Sequence, residues 1–371
     1  MRIIASSVVG VALLFVASLR APVAFAQHSG AFGASSNAAN HNAYFTSANA
    51  VLNTDISGHD VFVGKSDTAD TTAYPNGTNF LTLTPAPPVV LTITTGAVVT
   101  GNQGGVTYPD GQQNYGASAF GNNGLVVNGG STDFTRGRDT STVSITGGSS
   151  IYADAYNRST TSISGGTLNT ATSHDNATVN LNFGSSPRFA YSMDNSTTNI
   201  NSGQITGSAL AYNNSIMNVG INSSIDRLGA FDNSTVNVSG GYSNNAFEAG
   251  SAHMNISGGF LPDGLNLTTG TATANFIGTN LSYTYVSPGS KGDQFTISGV
   301  FNGNPNITYQ LYVNNLTGQI NKNPRQFTFN GMAITVPEAS PLILLASGLA
   351  LLGLRRRRNG CMTRERAASV P

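Results

Sequence analysis

The feature that most constrains this chain is a short internal repeat whose copies recur every 18 to 20 residues. Three copies are nearly identical: Ser141–Gly148, Ser159–Gly166 and Ser234–Gly241. Aligning the last apolar residue of every copy gives nine positions, namely Val127, Ile145, Ile163, Leu181, Ile200, Val219, Val238, Ile256 and Phe276. One copy carries an apolar stripe too narrow to bury by itself, so the copies must stack to build a continuous core.

Within each copy the residues alternate as in a strand that buries one face. Val143 and Ile145 point one way, while Thr142 and Ser144 point the other. A second column lies seven residues before the aligned apolar residues and contains Phe120, Tyr156, His174, Met193, Tyr212, Phe231 and Ala249. We therefore expect two short extended segments per repeat. One is followed by a Gly-Gly turn and the other by an Asp- or Asn-rich turn, because these residues tolerate positive φ.

A period of this length fits one turn of a single-stranded parallel β-helix, and it is too short for a helical-pair repeat or a propeller blade. The sequence therefore predicts an all-β solenoid of about nine or more short coils at residues 89–280. The ends of such a solenoid leave unpaired backbone, so caps are expected there. We assign residues 27–88 to a partly disordered N-terminal cap and residues 281–336 to a β-rich C-terminal cap.

Both ends of the chain carry delivery signals. Residues 1–26 have the pattern of a secretory signal peptide, in which Ala24 and Ala26 fit the small-x-small cleavage rule. Near the other end, Pro337-Glu338 precedes an apolar run at 341–354 and a basic cluster. That cluster consists of Arg355, Arg356, Arg357 and Arg358. The positive-inside rule places the tail, residues 359–371, in the cytoplasm and the repeats outside it.

The order of motif, hydrophobic span and basic stop at residues 337–358 resembles a PEP-CTERM sorting signal. The resemblance implies cleavage near Pro337-Glu338 by an exosortase-type enzyme, as in Gram-negative bacteria that make exopolysaccharide. It also implies an exported protein of the cell envelope or extracellular matrix, anchored in the membrane before processing. Two features depart from the family pattern. Ala339 stands where a second proline is usual, and a 13-residue tail follows the arginines.

The formal net charge of zero conceals an uneven distribution. Residues 27–336 hold nine Lys and Arg against fifteen Asp and Glu, because eight basic residues lie in the two end segments. An acidic body argues against a nucleic-acid partner. The single cysteine, Cys361, lies in the predicted tail, so no disulfide can stabilise the exported part.

Motifs for cofactors and catalysis are absent from the sequence. It contains no Gly-x-Gly, no Gly-x-Ser-x-Gly and no His-Glu-x-x-His, so we predict no cofactor and no catalytic residues. One turn column is acidic and contains Asp139, Asn157, Asp175, Asp194, Asn213 and Asp232. Asp175 and Asp194 would stack about 5 Å apart, which suits Ca²⁺ or two-carboxylate chemistry. Alternation with Asn favours local backbone bonding instead, so these two are weak metal candidates.

Other side chains receive structural interpretations. Five tyrosines could stack on sugars if exposed, namely Tyr152, Tyr156, Tyr191, Tyr212 and Tyr242, although core packing is expected for Tyr156 and Tyr212. His174 and His253 are read as repeat variants, and the outward Thr ladder is read as ordinary strand surface. That ladder contains Thr142, Thr160, Thr178, Thr197 and Thr235.

The functional hypothesis is a non-enzymatic structural or adhesive protein of the envelope or matrix, associated with exopolysaccharide. Two alternatives stay open. One is a polysaccharide lyase or hydrolase on the same fold, in which Asp175 and Asp194 would be required. The other is an adhesin that binds neighbouring cells.

Overall fold

The computed structural model describes residues 42–45, 50–53, 60–63, 88–100, 116–268, 271–289, 292–313 and 327–333. Every regular element in these ranges is a β-strand. None of the described residues forms a helix that could cross a membrane. The predicted signal peptide, the sorting signal and the tail lie outside the described ranges.

The described part of the chain forms one sheet of 25 strands. The strands are β1 (Asn42–Phe45), β2 (Ala50–Leu52), β3 (Asp60–Val63), β4 (Val90–Thr94), β5 (Val98–Val99), β6 (Gly116–Ala119), β7 (Gly124–Asn128), β8 (Ser131–Gly137), β9 (Thr142–Ile145), β10 (Ser149–Ala155), β11 (Thr160–Ile163), β12 (Thr167–Ser173), β13 (Thr178–Leu181), β14 (Phe189–Ser192), β15 (Thr197–Ala211), β16 (Ile216–Ala230), β17 (Thr235–Glu248), β18 (His253–Phe260), β19 (Leu265–Leu267), β20 (Thr273–Phe276), β21 (Thr279–Gly289), β22 (Gly292–Val300), β23 (Thr308–Val313), β24 (Phe327–Phe329) and β25 (Met332–Ala333).

These strands stack in parallel columns and make an all-β solenoid of about eight turns. Column A contains the strands with the aligned apolar residues, from β7 to β20. Its register pairs Val127 with Ile145, Ile145 with Ile163, and so on through Val238, Ile256 and Phe276. The alignment made from the sequence is therefore confirmed residue by residue.

Each turn contains three strand positions, so the prediction of two per repeat is wrong in this respect. Column B, which holds Ala153–Ala155 and its register partners, corresponds to the second predicted segment. Column C lies between A and B in chain order, where Ser149-Ser150 pairs with Ser131-Thr132 and with Thr167-Leu168. These segments are too short and too polar to show the alternation that identifies a strand.

The core fills the interior between columns A and B. Column A contributes large side chains such as Val143 and Ile145, both at most 2% exposed, and the predicted inward face is confirmed. Column B contributes small side chains, including Ala153, Ala155 and Ala171, all fully buried. Large residues on one side and alanines on the other together fill a narrow interior.

One corner of every turn is held by a residue in the left-handed conformation. Six successive turns place Asp or Asn there with φ between 55° and 60°, namely Asp139, Asn157, Asp175, Asp194, Asn213 and Asp232. Two residues later a buried serine usually closes the corner. The Ser159 hydroxyl accepts the N–H of Tyr156 at 3.1 Å and donates to the carbonyl of Gly137 at 3.0 Å. Ser196, Ser215 and Ser234 likewise donate to a carbonyl one turn earlier, so the Asx-x-Ser motif ties these corners to the turn before them.

The strands at the two ends also pair with the solenoid. Within the segment assigned to the N-terminal cap, β1 pairs in parallel with β3, and β2 pairs in parallel with β4. Within the C-terminal segment, β21, β22 and β23 form antiparallel pairs. β23 then pairs in parallel with β19, and β24 pairs in parallel with β20, so both strands continue the columns past the last full turn.

A carboxyl group lies inside this core. Glu248 is fully buried, between its register partners Ala230 and Leu267, and neither of its carboxylate oxygens has a hydrogen-bond partner. Burial raises the pKa of Glu248 well above its usual value of 4.5. The nearby backbone N–H of Thr273 lowers the pKa of Glu248, but by less than burial raises it. This N–H already donates to the carbonyl of Ala252, at 3.0 Å. Glu248 therefore keeps its proton in the folded protein at a pH where the unfolded chain has lost it.

This difference predicts a protein that loses stability as the pH rises. Below pH 4.5 the carboxyl is protonated in both states, whereas above it the unfolded chain alone releases the proton. We expect the free energy of unfolding to fall across that window, by about 1.4 kcal/mol for each unit of pKa shift. Glu248→Gln should abolish most of this slope in urea titrations followed by circular dichroism at pH 4, 6 and 8.

The exposed acid Asp263 provides the matched control, because Asp263→Asn removes a carboxyl without touching the core. It should leave the slope unchanged. An identical slope for the native chain and Glu248→Gln would contradict the assignment.

Candidate functional site

The most regular outward feature of the described solenoid is a ladder of half-buried asparagine amides on column A. Asn180, Asn199, Asn218, Asn237, Asn255 and Asn275 occupy the same outward position in six successive turns. From Asn199 onward, each Nδ2 donates to the Oδ1 of the asparagine one turn earlier, at distances of 2.8, 2.7, 2.8, 2.8 and 3.2 Å. At the last rung, the Oδ1 of Asn275 accepts Thr328 Oγ1 and the N–H of Gly331, at 2.7 and 2.9 Å.

A second outward column runs beside the amides, two residues earlier in each strand. It contains Thr178, Thr197, Ile216, Thr235, His253 and Thr273. We call the two columns together the Thr-Asn face. The sequence pattern indicated the threonine column of this face, but it did not indicate the hydrogen bonds between the asparagine amides. Ile216 and His253 interrupt the hydroxyl column, and His253 Nδ1 compensates by bonding to Thr273 Oγ1.

The Thr-Asn face offers neutral hydrogen-bonding groups at a fixed spacing. An amide has two N–H donors and an oxygen with two lone pairs. The ladder uses one donor and one lone pair of each inner amide, such as Asn218 and Asn237. Neighbouring turns are about 4.8 Å apart, so both donors and acceptors repeat at that interval. Such a surface can bind an extended polymer that carries hydroxyl groups.

The candidate metal residues lie in the left-handed corner column. Asp194 Oδ2 accepts the backbone N–H of Asp175 at 3.3 Å, and its Oδ1 accepts the amide of Asn213 at 3.1 Å. Asp175 Oδ2 accepts the backbone N–H of Asn157 at 2.9 Å. These bonds join adjacent turns, 18 or 19 residues apart in the sequence, so the carboxylates bond to backbone as expected, but to that of the preceding turn rather than to local backbone. No group of three His, Cys, Asp or Glu residues suited to a metal occurs in the described ranges.

The structure separates the five tyrosines by environment. The packing expected for Tyr156 and Tyr212 is confirmed in part: Tyr156 is buried, at 7% exposed, and Tyr212 is half-buried, although neither belongs to the continuous core cluster. They belong to a corner stack instead, where Tyr156 stacks on His174 with centroids 4.5 Å apart and Tyr212 stacks on Phe231 at 4.9 Å. His174 therefore replaces an aromatic ring with another flat ring, as its repeat position suggested.

The remaining tyrosines lie on the outer strand surfaces. Tyr152 stacks on Phe134 with centroids 4.5 Å apart, and Tyr191 contacts Phe189 at 6.0 Å. Both tyrosines are half-buried. Tyr242 is the most exposed of the five and lies on column C.

A buried ion pair on column B was missed by the sequence analysis. Arg136 and Asp154 are register partners, at most 5% exposed, and Arg136 Nε lies 3.3 Å from Asp154 Oδ2. Burial raises the pKa of Asp154, and the charge of Arg136 opposes that change. Their separation of 18 residues, one repeat, was the available signal.

The predicted delivery residues lie outside the described ranges. These are Ala24 and Ala26 at one end, and Pro337, Glu338 and Arg355 to Arg358 at the other. Comparison with protein-family models, with curated proteins and with solved structures finds no match to this chain.

The corner geometry predicts a graded response at position 194. Asp194→Ala removes two hydrogen bonds and places a residue with a Cβ but no local acceptor at φ 60°, so it should cost about 2 kcal/mol of unfolding free energy. Asp194→Asn keeps an acceptor and should cost less than about 1 kcal/mol. Thermal denaturation with and without Ca²⁺ measures both effects. A Ca²⁺-dependent stabilisation of the native chain that is lost in Asp194→Asn would overturn the purely structural assignment.

Proposed function

We propose that this protein is an exported, non-enzymatic β-solenoid of the cell envelope or extracellular matrix that contacts exopolysaccharide through its Thr-Asn face. The observation that carries the proposal is the bonded amide ladder from Asn180 to Asn275. Its groups are held in place before a ligand arrives, so binding loses little side-chain entropy. Each contact is weak, since a hydrogen bond made in exchange for water contributes about 1 kcal/mol. Repetition along a polymer compensates for that weakness.

Charge supports a polysaccharide over a nucleic acid as the ligand. The outward ladder residues are neutral apart from His253, and residues 27–336 carry a surplus of acidic groups. Phosphate chains are bound chiefly by clustered Lys and Arg, which the Thr-Asn face lacks. Hydroxyl-rich chains need paired donors and acceptors instead, and amides and hydroxyls supply both.

Delivery to this location rests on the sequence signals. The signal peptide would direct export, and the segment at 337–358 would hold the precursor in the membrane until an exosortase-type enzyme cleaves it. The function therefore has two separable parts, delivery by the end segments and contact by the solenoid.

The contact part predicts a face-specific loss of binding. Thr197→Lys with Thr235→Lys places two long charged side chains on the Thr-Asn face and should weaken binding to the host's exopolysaccharide about tenfold or more. Asn195→Lys with Asn233→Lys is the matched control, because these exposed corner residues lie in the same two turns. Cosedimentation of protein with the extracted polysaccharide measures the difference. Equal binding by the two double variants, or none by the native chain, would reject this role.

The delivery part predicts a processing defect. Replacing Pro337 and Glu338 with alanine should leave a precursor that fractionates with the membrane, because the cleavage motif is removed while the apolar span remains. Glu365→Ala in the predicted tail is the control and should be processed normally. Immunoblots of membrane and medium fractions from the host measure both. Unchanged release of the Pro337/Glu338 variant would contradict exosortase-type sorting.

A further inference from the structure

An exposed aromatic pair interrupts a column of mostly polar residues on the third side of the solenoid. The outward position of column C is occupied by Val98, Ser131, Ser149 and Thr167 in early turns and by Gln204, Ser224, Tyr242 and Phe260 in later ones. Tyr242 is 39% exposed and Phe260 is 52% exposed. Since serine suffices for the fold at this position, the two rings need a reason other than packing.

The two rings form one continuous surface. Tyr242 and Phe260 are register partners in adjacent turns, their centroids lie 5.8 Å apart, and their planes are inclined by 41°. The surface is therefore elongated along the solenoid axis, and its two rings are not coplanar. It is long enough to contact more than one ring of a ligand chain that runs parallel to that axis.

Polar groups adjoin this surface and are fixed relative to it. The hydroxyl of Tyr242 donates to Asn244 Oδ1 at 2.5 Å, and Asn244 Nδ2 donates to Asp226 Oδ1 at 2.9 Å. Asp226 is exposed, and it lies between Ile225 and Arg227, whose register partners one turn later, Ser243 and Asn245, flank Asn244. The second carboxylate oxygen of Asp226 and the second N–H of Asn244 remain for an outside ligand, one accepting and one donating.

From this arrangement we infer that Tyr242, Phe260, Asn244 and Asp226 form a binding site for pyranose rings of a neutral polysaccharide. The inference deepens the proposed function by naming a ligand class, and it rests on that function. The aromatic faces contact the C–H faces of the sugars, while the amide and carboxylate bond to their hydroxyl groups. Asp226 repels uronic acids and sulfated sugars, so the site selects uncharged units. The polar neighbours Ser224 and Asn244 distinguish the site from an apolar protein interface.

Short sugars test this site apart from the Thr-Asn face, because they cannot span many turns of an extended ladder. The probes are neutral di- and trisaccharides of glucose, mannose and galactose, and a trigalacturonate, added to the full-length protein in saturation-transfer NMR. We expect transfer from protein aromatic protons to a neutral sugar. Tyr242→Ala and Phe260→Ala should each weaken the binding about tenfold.

Phe183 supplies the matched control, since it is an exposed phenylalanine, 85% accessible, three turns earlier. Phe183→Ala should bind as the native protein does, and circular dichroism shows whether each variant is folded. Asp226→Asn should increase the binding of trigalacturonate relative to neutral sugar, an effect that a purely structural Asp226 would not have.

Two results would overturn the inference, and they separate it from the proposed function. If the native protein binds the host's exopolysaccharide but Tyr242→Ala and Phe260→Ala bind every probe as it does, the aromatic site is wrong and the Thr-Asn face stands. If the native protein binds neither the short sugars nor the exopolysaccharide, both are wrong.

Discussion

A left-handed backbone conformation at one corner of every turn is the constraint on which the solenoid depends. At this corner the chain turns from column B into column A. The side chain of the corner residue accepts a backbone N–H of the preceding turn, as Asp232 does from Asn213 at 3.1 Å. Asp and Asn meet both requirements, whereas glycine meets only the conformational one. Gly121 and Gly250 occupy the corner at the two ends of the Asx run, with φ of 62° and 74°. The acidic residues thus serve the geometry of the corner, which explains an acidic column without invoking catalysis.

Much of the fold could be predicted because the solenoid is nearly one-dimensional. Each turn pairs only with its neighbours, so the spacing of the repeat in the sequence gives the register between turns. Aligning Val127 with Ile145 in the sequence therefore predicts that the two residues are neighbours in the sheet. The inward face follows from alternation, and the corner follows from the residues that tolerate positive φ. Column C could not be predicted, because Ser149-Ser150 shows no periodicity.

The candidate site was less accessible to sequence reasoning for a different physical reason. Binding depends on which outward side chains are exposed, and the repeat places Tyr242 and Tyr156 in different columns without showing that the Tyr242 column faces solvent. The first lies on a strand surface and the second is 7% exposed at a corner, where it stacks on His174. Glu248 was similarly hidden. The sequence shows that Glu248 is the single glutamate of residues 27–336. It does not show that the side chain points inward, because that direction depends on the register with Ala230 and Leu267.

The asparagine ladder also has a direction. Every Nδ2 from Asn199 to Asn275 points to the turn before it, so the amide dipoles add head to tail along the solenoid axis, as peptide dipoles add in a helix. The negative end of this array falls at Asn275, where Thr328 and Gly331 supply the donors that no further asparagine provides. The solenoid is therefore electrically polar along its length even where it carries no formal charge, and its C-terminal strands act on that polarity as a capping residue acts on a helix end.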